Sequence, residues 1–266
     1  MGVHPSAVVE PGAKIAESAS VGPFCVIGPD VIIAEQCRIH AHVTISGRTM
    51  IGKNVEVFPF AALGEAAQIR GKDSFAGALE IGENCVLREH VTLHCGSEEG
   101  VGTTRVGSNC MLMVGAHIGH DSQLGRSCVF ANRTTLGGHV RVGEGVWMGG
   151  HSAAHQRCEI GQGAFIGGGS KLVGDVIPFG MTLGNQAKLT GLNLRGLKRQ
   201  GVAQADIHTL RAAYRILADL KQPLTERIGD IDRSFGSNTY VQDILVFLRK
   251  DRARPLCVPR GHMRPQ

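Results

Sequence analysis

Large rings are scarce in this chain. Aromatic residues are 5% of 266, with one Trp and two Tyr. A layered globular core leans on such rings to fill the space between its elements, so a wall of smaller aliphatic residues is the better expectation. No apolar run approaches the roughly 20 residues that a membrane-crossing helix needs. Nothing near Met1 reads as a secretory leader, and no Cys-x-x-Cys pair offers a zinc-finger spacing. These absences point to a soluble cytoplasmic protein, with no membrane insertion and no nucleic-acid partner.

Glycine and a period are what the chain has instead. Gly accounts for 37 residues, about twice ordinary usage, with no collagen repeat. From Val106, steps of six land on Leu112, Ile118, Leu124, Phe130, Leu136, Val142, Met148, Ala154, Ile160, Ile166 and Leu172. Every landing is apolar, although only 42% of the chain is hydrophobic, so chance is a poor explanation. The same register runs from Val3 through Val9, Ile15, Val21, Ile27, Ile33, Ile39, Ile45, Ile51 and Val57 to Leu63. A half-buried strand repeats every 2 residues and a helix every 3.6. Period six fits a coil of short flat faces, each sending one side chain inward, with three faces making a turn of about 18 residues. The expected fold is mainly β: a left-handed parallel β-helix over residues 1–178.

The register breaks twice, near 64–80 and near 96–104. Both breaks read as loops extruded from the coil, the first long enough to cover a ligand. Past Val176-Ile177-Pro178 the period is lost. Residues 179–195 look like a bridging segment of turns. Helical spacing follows in 202–220 (Ile207, Leu210, Tyr214, Leu217), in 224–235, and in 240–250 (Val241, Ile244, Leu245, Leu248), so 179–250 should hold a small α-helical domain. The remainder, 251–266, reads as a frayed basic tail.

The eight cysteines follow the same rhythm. Cys25, Cys37, Cys85, Cys110, Cys128 and Cys158 each stand four residues after an apolar landing, which suits reduced packing residues in one recurring slot. Charge is uneven. The formal net charge is +5, and the stretch from Lys188 to Gln266 holds 15 Lys and Arg against 7 Asp and Glu. A basic end of this kind suits an acidic partner.

Chemistry concentrates in Gly115-Ala116-His117-Ile118-Gly119-His120-Asp121. An imidazole titrating near neutrality can take a proton from a hydroxyl, and a carboxylate can fix its tautomer. In a coil of about 18 residues, positions that far apart are spatial neighbours. His139, 19 residues after His120, and His155, 16 further on, should therefore stack beside it, with His94 and His117 before them. Such a set reads as one groove. Imidazoles from adjacent coils can also hold zinc, as in the γ-type carbonic anhydrases. The spacing His117-x-x-His120 and the helical C-terminus do not resemble that family, and no metal or other cofactor is expected.

The ordered set formed by Gly115 to Asp121, Phe130-Ala131-Asn132, Leu136-Gly137-Gly138-His139-Val140, Ala154-His155-Gln156 and Gly191 to Arg199 resembles the UDP-N-acetylglucosamine O-acyltransferases that begin lipid A synthesis. The likeness runs in order from Val3 to about Leu220. It implies transfer of a 3-hydroxyacyl group from acyl carrier protein to the 3-hydroxyl of UDP-N-acetylglucosamine. His120 would be the general base, Asp121 its orienting carboxylate, and the Gly138 N–H a donor to the tetrahedral oxyanion. Gln68, His117, His139, His155 and Gln156 would position substrate, Asn193 and Arg199 would contact the nucleotide, and Gly168 and Gln186 would lie along the acyl groove. The resemblance also implies a homotrimer with sites between subunits, and an acidic carrier protein suits the basic end.

Most departures sit around the acceptor, and one lies along the acyl groove. Ile69 and Gly71 stand where the family usually has Asp and Lys, Arg195 where an acidic residue is usual, Gln200 where a second Arg is usual, and Gln186 where a His is usual. A different nucleotide sugar, or a non-catalytic β-helix scaffold, therefore remains a rival reading.

Overall fold

A computed structural model describes residues 2–71 and 77–259. Short strands, most of two residues, stack into three sheets. The first starts at Gly2–Val3, has eleven strands and runs to Lys188–Leu192. The second has nine, from Val8–Val9 to Lys171–Leu172. The third has eight, from Lys14–Ile15 to Glu159–Ile160. Along the coil the pairings are parallel, as in His117 opposite Thr135 and Ile118 opposite Leu136, and the register shifts between Leu63 and Glu65 where Ala62–Glu65 pairs with Thr92–His94. The chain is a left-handed parallel β-helix followed by helices.

The reason lies in the period. Landing residues such as Ile27, Ile45, Leu63, Leu87, Leu112, Ile118 and Leu136 are fully buried along the axis. Removing one such side chain from water stabilises by roughly 1.5–3 kcal/mol. The strands bond only to the coils above and below, so stability comes from stacking neighbours. At many corners, three residues after a landing, the backbone is left-handed: Phe24, His42, Asn54, Asp121, His139 and Arg157 all have φ between 56° and 65°. That conformation costs an ordinary residue roughly 1–2 kcal/mol. The corner N–H offsets it by bonding to the coil before, as from Asn54 to Glu35 O (3.0 Å) and from His139 to His120 O (2.8 Å). Asn54, Asn84 and Asn109 add an amide ladder on one edge, at 3.1 and 3.3 Å.

All eight cysteines are free and buried. Thiols in the recurring slot donate to carbonyls of the next coil, as from Cys25 to His40 O (2.9 Å) and from Cys37 to Gly52 O (3.0 Å). Burial pushes the Cys158 thiol up to about 12, which leaves it inert near neutrality.

Beyond the coil the bridging segment is more ordered than turns. Gly180–Leu183 pairs antiparallel with Lys188–Leu192 and extends the first sheet as a hairpin. A short helix α1 (Leu194–Arg199) follows, capped by Asn193 Oδ1 accepting from the Gly196 N–H at 3.0 Å. Helices α2 (Gln204–Ala218), α3 (Leu224–Phe235) and α4 (Thr239–Arg249) close on a core of Ile207, Leu210, Leu217, Ile231, Ile244, Leu245 and Leu248. No helix among the described residues is long and apolar enough to cross a membrane.

The first part of the expected tail is not frayed. Residues 251–259 dock on the coil. Asp175 N–H donates to Pro255 O and Cys257 N–H to Asp175 O, each at 2.8 Å, and Leu189 N–H donates to Val258 O at 3.0 Å. The last coil otherwise ends in open strand edges, and this segment satisfies part of them. Residues 72–76 of the first insertion and 260–266 of the tail lie outside the described residues.

Candidate active site

His120 and Asp121 occupy the corner between the second and third sheets. Asp121 takes the left-handed corner position, φ 60°, so consecutive residues turn their side chains toward each other. His120 Nδ1 lies 2.8 Å from Asp121 Oδ2. The Asp121 side chain has no solvent exposure and the His120 side chain 14%. The second insertion does not stand clear of the coil as an extruded loop would. It folds over the carboxylate: Ser97 Oγ donates at 2.6 Å, Ser97 N–H at 3.1 Å and Gly102 N–H at 2.9 Å. A side chain at Gly100 would collide with the same carboxylate. The Asp121 N–H goes to Thr104 Oγ1 at 2.8 Å. Burial works against ionisation here, but the bonds from Ser97, His120 and Gly102 outweigh it and hold the carboxyl below its ordinary range.

An ionised Asp121 accepts the Nδ1–H of His120 and leaves a lone pair on Nε2. That nitrogen points at Gly138, one coil on. A Cβ at Gly138 would lie 2.5 Å from Nε2 and 2.6 Å from Cε1, so glycine there makes room for the ring. His139 packs edge-on against His120, ring centroids 4.8 Å apart, with Nδ1 3.9 Å from Asp121 Oδ2. Burial keeps His139 below its ordinary value, against the pull of Asp121 and with Arg157 and His120 adding to the fall. Ligand atoms of His120, Asp121 and His139 fall within 4.8 Å of one another, near enough for an ion. Both carboxylate oxygens, however, are already taken by backbone and side-chain donors, so the donor set is that of a hydrogen-bonded dyad.

His117 stands on the outer surface of the second sheet. Its Nδ1 is 2.8 Å from Thr92 Oγ1, and its ring meets His94 edge-on at 5.3 Å. Burial, with a smaller contribution from His94, pushes His117 down to about 4, so it is neutral at working pH. His94 Nδ1 donates to Ala66 O at 2.6 Å and so ties the first insertion, with exposed Gln68 two residues on, beside His117. Gln156 follows Gly138 at the same corner, and His155 beside it is exposed. The histidines therefore form two contacting pairs, His94 with His117 and His120 with His139, while His155 is engaged by Arg254, whose Nη2 lies 2.7 Å from Nδ1.

The remaining site residues lie elsewhere. Asn193 and Arg199 line a cavity of about 680 Å³ with Arg195, Trp147, Phe165, Met181 and Leu192, off the first sheet. Asn193 Nδ2 also donates to Gly163 O at 2.9 Å, and the Arg199 guanidinium sits 5.4 Å from the Trp147 ring centre. Gln200 lies over the corner at Gly145. Gly168 is at the corner between the first two sheets, where a Cβ would meet only Gly150 O at 3.3 Å and Gly150 N at 3.9 Å. Gln186 is exposed in the turn of the hairpin, Ile69 is half-buried, and among the described residues nothing lies within 4 Å of a Cβ at Gly71. One chain does not bring the His120 groove and the Asn193–Arg199 cavity together. Ser97, Gly102, Thr104 and Arg254 were absent from the sequence reading. Ser97 and Thr104 fall in a break of the period, where no register assigns them a neighbour.

A β-helix wall that holds an ionised carboxylate against an imidazole with a free Nε2, and clears a glycine before it, is the equipment of a hexapeptide-repeat acyltransferase. Residues 12–47 match the bacterial transferase hexapeptide family and residues 175–257 match "Udp N-acetylglucosamine O-acyltransferase; Domain 2". A curated acyl-[acyl-carrier-protein]–UDP-N-acetylglucosamine O-acyltransferase from Bartonella henselae is 43% identical over 258 residues, 97% of this chain and 94% of that protein. LpxA of Acinetobacter baumannii superposes with TM-score 0.89 at 35% identity, covering 97% of this chain and 99% of that one. The UDP-N-acetylglucosamine acyltransferase of Francisella novicida gives 0.93 at 30%, covering 98% and 95%. The chain belongs to the UDP-N-acetylglucosamine O-acyltransferase family.

Proposed function

We propose that this protein transfers a 3-hydroxyacyl group from acyl carrier protein to the 3-hydroxyl of UDP-N-acetylglucosamine, the first step of lipid A synthesis. The observation that carries the reading is the Asp121-fixed His120 with Nε2 facing Gly138. His120 Nε2 removes the hydroxyl proton as the oxygen attacks the thioester carbonyl. The oxyanion forms beside the Gly138 N–H. Collapse expels the carrier thiolate, which takes back the proton from the imidazolium. Asp121 holds the Nδ1–H throughout and stabilises the transient positive charge. His117, His139, His155 and Gln156 line the approach.

The functional unit in this reading is a homotrimer. The groove carrying His120 and the cavity carrying Asn193 and Arg199 lie off different sheets, and a neighbouring copy supplies the missing half of each. The acidic carrier docks near the basic helical end. Eight reduced, buried thiols suit the cytoplasm.

The test is purified protein with 3-hydroxyacyl carrier protein and a panel of UDP-sugars. UDP-N-acetylglucosamine should be the productive acceptor, and His120→Ala should lower kcat by roughly two to four orders of magnitude with the fold intact. A His120→Ala enzyme that keeps most of its activity would remove the base from the mechanism. Turnover confined to another UDP-sugar would move the assignment to that acceptor.

A further inference from the structure

The segment after α4 is a strap whose path is built into the coil. Asp175 exchanges backbone bonds with Pro255 and Cys257, and Cys257 is 8% exposed. Gly174 has no room for a side chain, because a Cβ there would run into Pro255 O. Arg252 lies 3.8 Å from the buried Asp175 carboxylate, and Lys250 is 2.6 Å from Glu159. What lies between these anchors is therefore held in place. It is Arg254, and it reaches back to the groove wall: Nη2 donates to His155 Nδ1 at 2.7 Å and Nε to Gln156 O at 3.0 Å.

A guanidinium donates and cannot accept. His155 Nδ1 must therefore keep its lone pair, and the ring proton sits on Nε2. Gln156 O also lies 3.3 Å from Nδ1, but a proton placed there would face the Arg254 N–H across 2.7 Å. His155 takes the slot filled by Gly119 and Gly137 on the two preceding coils. Those slots flank His120 and Gly138 and carry no side chain. His155 is thus the first side chain past the two glycines in that column, which His94 fills on the coil before them, and its free edge is an N–H donor.

We propose that Arg254 is a substrate-positioning residue that acts through His155. It fixes the imidazole as the neutral Nε2–H tautomer, so that the ring donates a hydrogen bond to an acceptor oxygen of bound substrate. The strap that carries Arg254 is then part of the active site. The inference rests on the acyltransferase reading above, but its first measurement does not depend on activity.

That measurement is the nitrogen spectrum of the full-length protein with labelled histidine, His155 being assigned by its loss in His155→Gln. The wild type should show a protonated Nε2 and a bare Nδ1, and Arg254→Met should show a mixture of tautomers. Kinetics follow on Arg254→Met, His155→Ala and the double variant, with a melting curve for each. Arg254→Met should raise KM for one substrate about tenfold with kcat within about twofold, and should add nothing in the His155→Ala background. Arg254→Lys restores charge without the two-pronged fork and should recover only part of the loss. A protonated Nδ1 in the wild type overturns the inference, as do additive effects in the double variant. A loss of activity that tracks the melting temperature assigns Arg254 to strap stability alone and also overturns it. An enzyme inactive in every assay but with the stated tautomer would sink the reaction and leave the tautomer lock standing.

Discussion

Replacing Gly138 by Ala separates two roles that this residue combines. The new methyl would sit 2.5 Å from His120 Nε2, 2.6 Å from Cε1 and 3.0 Å from Cδ2. Carbon contacts settle near 3.5–4.0 Å, so the ring has to retreat by about 1 Å. It cannot retreat freely. Nδ1 is held 2.8 Å from an Asp121 carboxylate that is itself fixed by Ser97 and Gly102. The imidazole tilts or gives up that bond, and either movement takes Nε2 off line. A misplacement of about 1 Å can cost on the order of 100-fold in rate, and that is the expected fall in kcat. Gly138 is not among the residues with positive φ, so Ala suits the backbone. The three nearest heavy atoms all belong to the His120 side chain, so stability should fall by less than about 2 kcal/mol. The N–H of residue 138 survives the change. Steady-state kinetics with a melting curve decide. A variant retaining more than half of wild-type kcat would mean that Gly138 acts through its N–H alone and that His120 is not held where the structure places it. Combined with His120→Ala, the substitution should cause no further loss.

Ser97→Ala removes the 2.6 Å donation to Asp121, a bond to a charged group worth about 1.5–3 kcal/mol. About a tenfold fall in kcat is expected, with recovery in Ser97→Thr, and an unchanged kcat would show that the backbone donors suffice. His117 titrates near 4 in the folded chain against about 6.5 when unfolded. The unfolded chain binds the proton first, so this group makes stability fall as pH drops from about 6.5 to 4 and leaves it unaffected above. Urea titrations across that window should be flatter for His117→Gln, and an identical slope would refute the shift. Gly168→Met enters open space at the corner beside Gly150. Each methylene of the acyl chain denied burial costs roughly 0.8 kcal/mol, so long-chain donors should be lost while short ones remain, and an unaltered donor profile would place Gly168 outside the acyl groove.

The period by itself determined the coil. One inward residue per face every six positions admits no helix and no isolated strand, and a three-face turn follows from the spacing. That spacing also put His120, Gly138 and Gln156 at one corner, and Asp121, His139 and Arg157 beside them, because residues a coil apart are neighbours by construction. The thiol slots followed for the same reason. Where the period stops, sequence stops assigning neighbours. The break at 96–104 reads as a loop, yet only the folded chain shows Ser97 and Gly102 turned inward onto Asp121. The hairpin from Gly180 to Leu192 and the strap through Arg254 were equally hidden. The strap's partners lie at long separations, 98 and 99 residues for the Arg254 bonds, and no local spacing encodes them, while the hairpin pairs locally, as Leu183 with Lys188, but outside the six-residue register. The separation of the histidine groove from the Asn193–Arg199 cavity is likewise a property of three sheets facing three ways. Motifs can be read in order along a chain, but which side of the coil each one faces is decided when the coils stack and the helical domain docks on their open end.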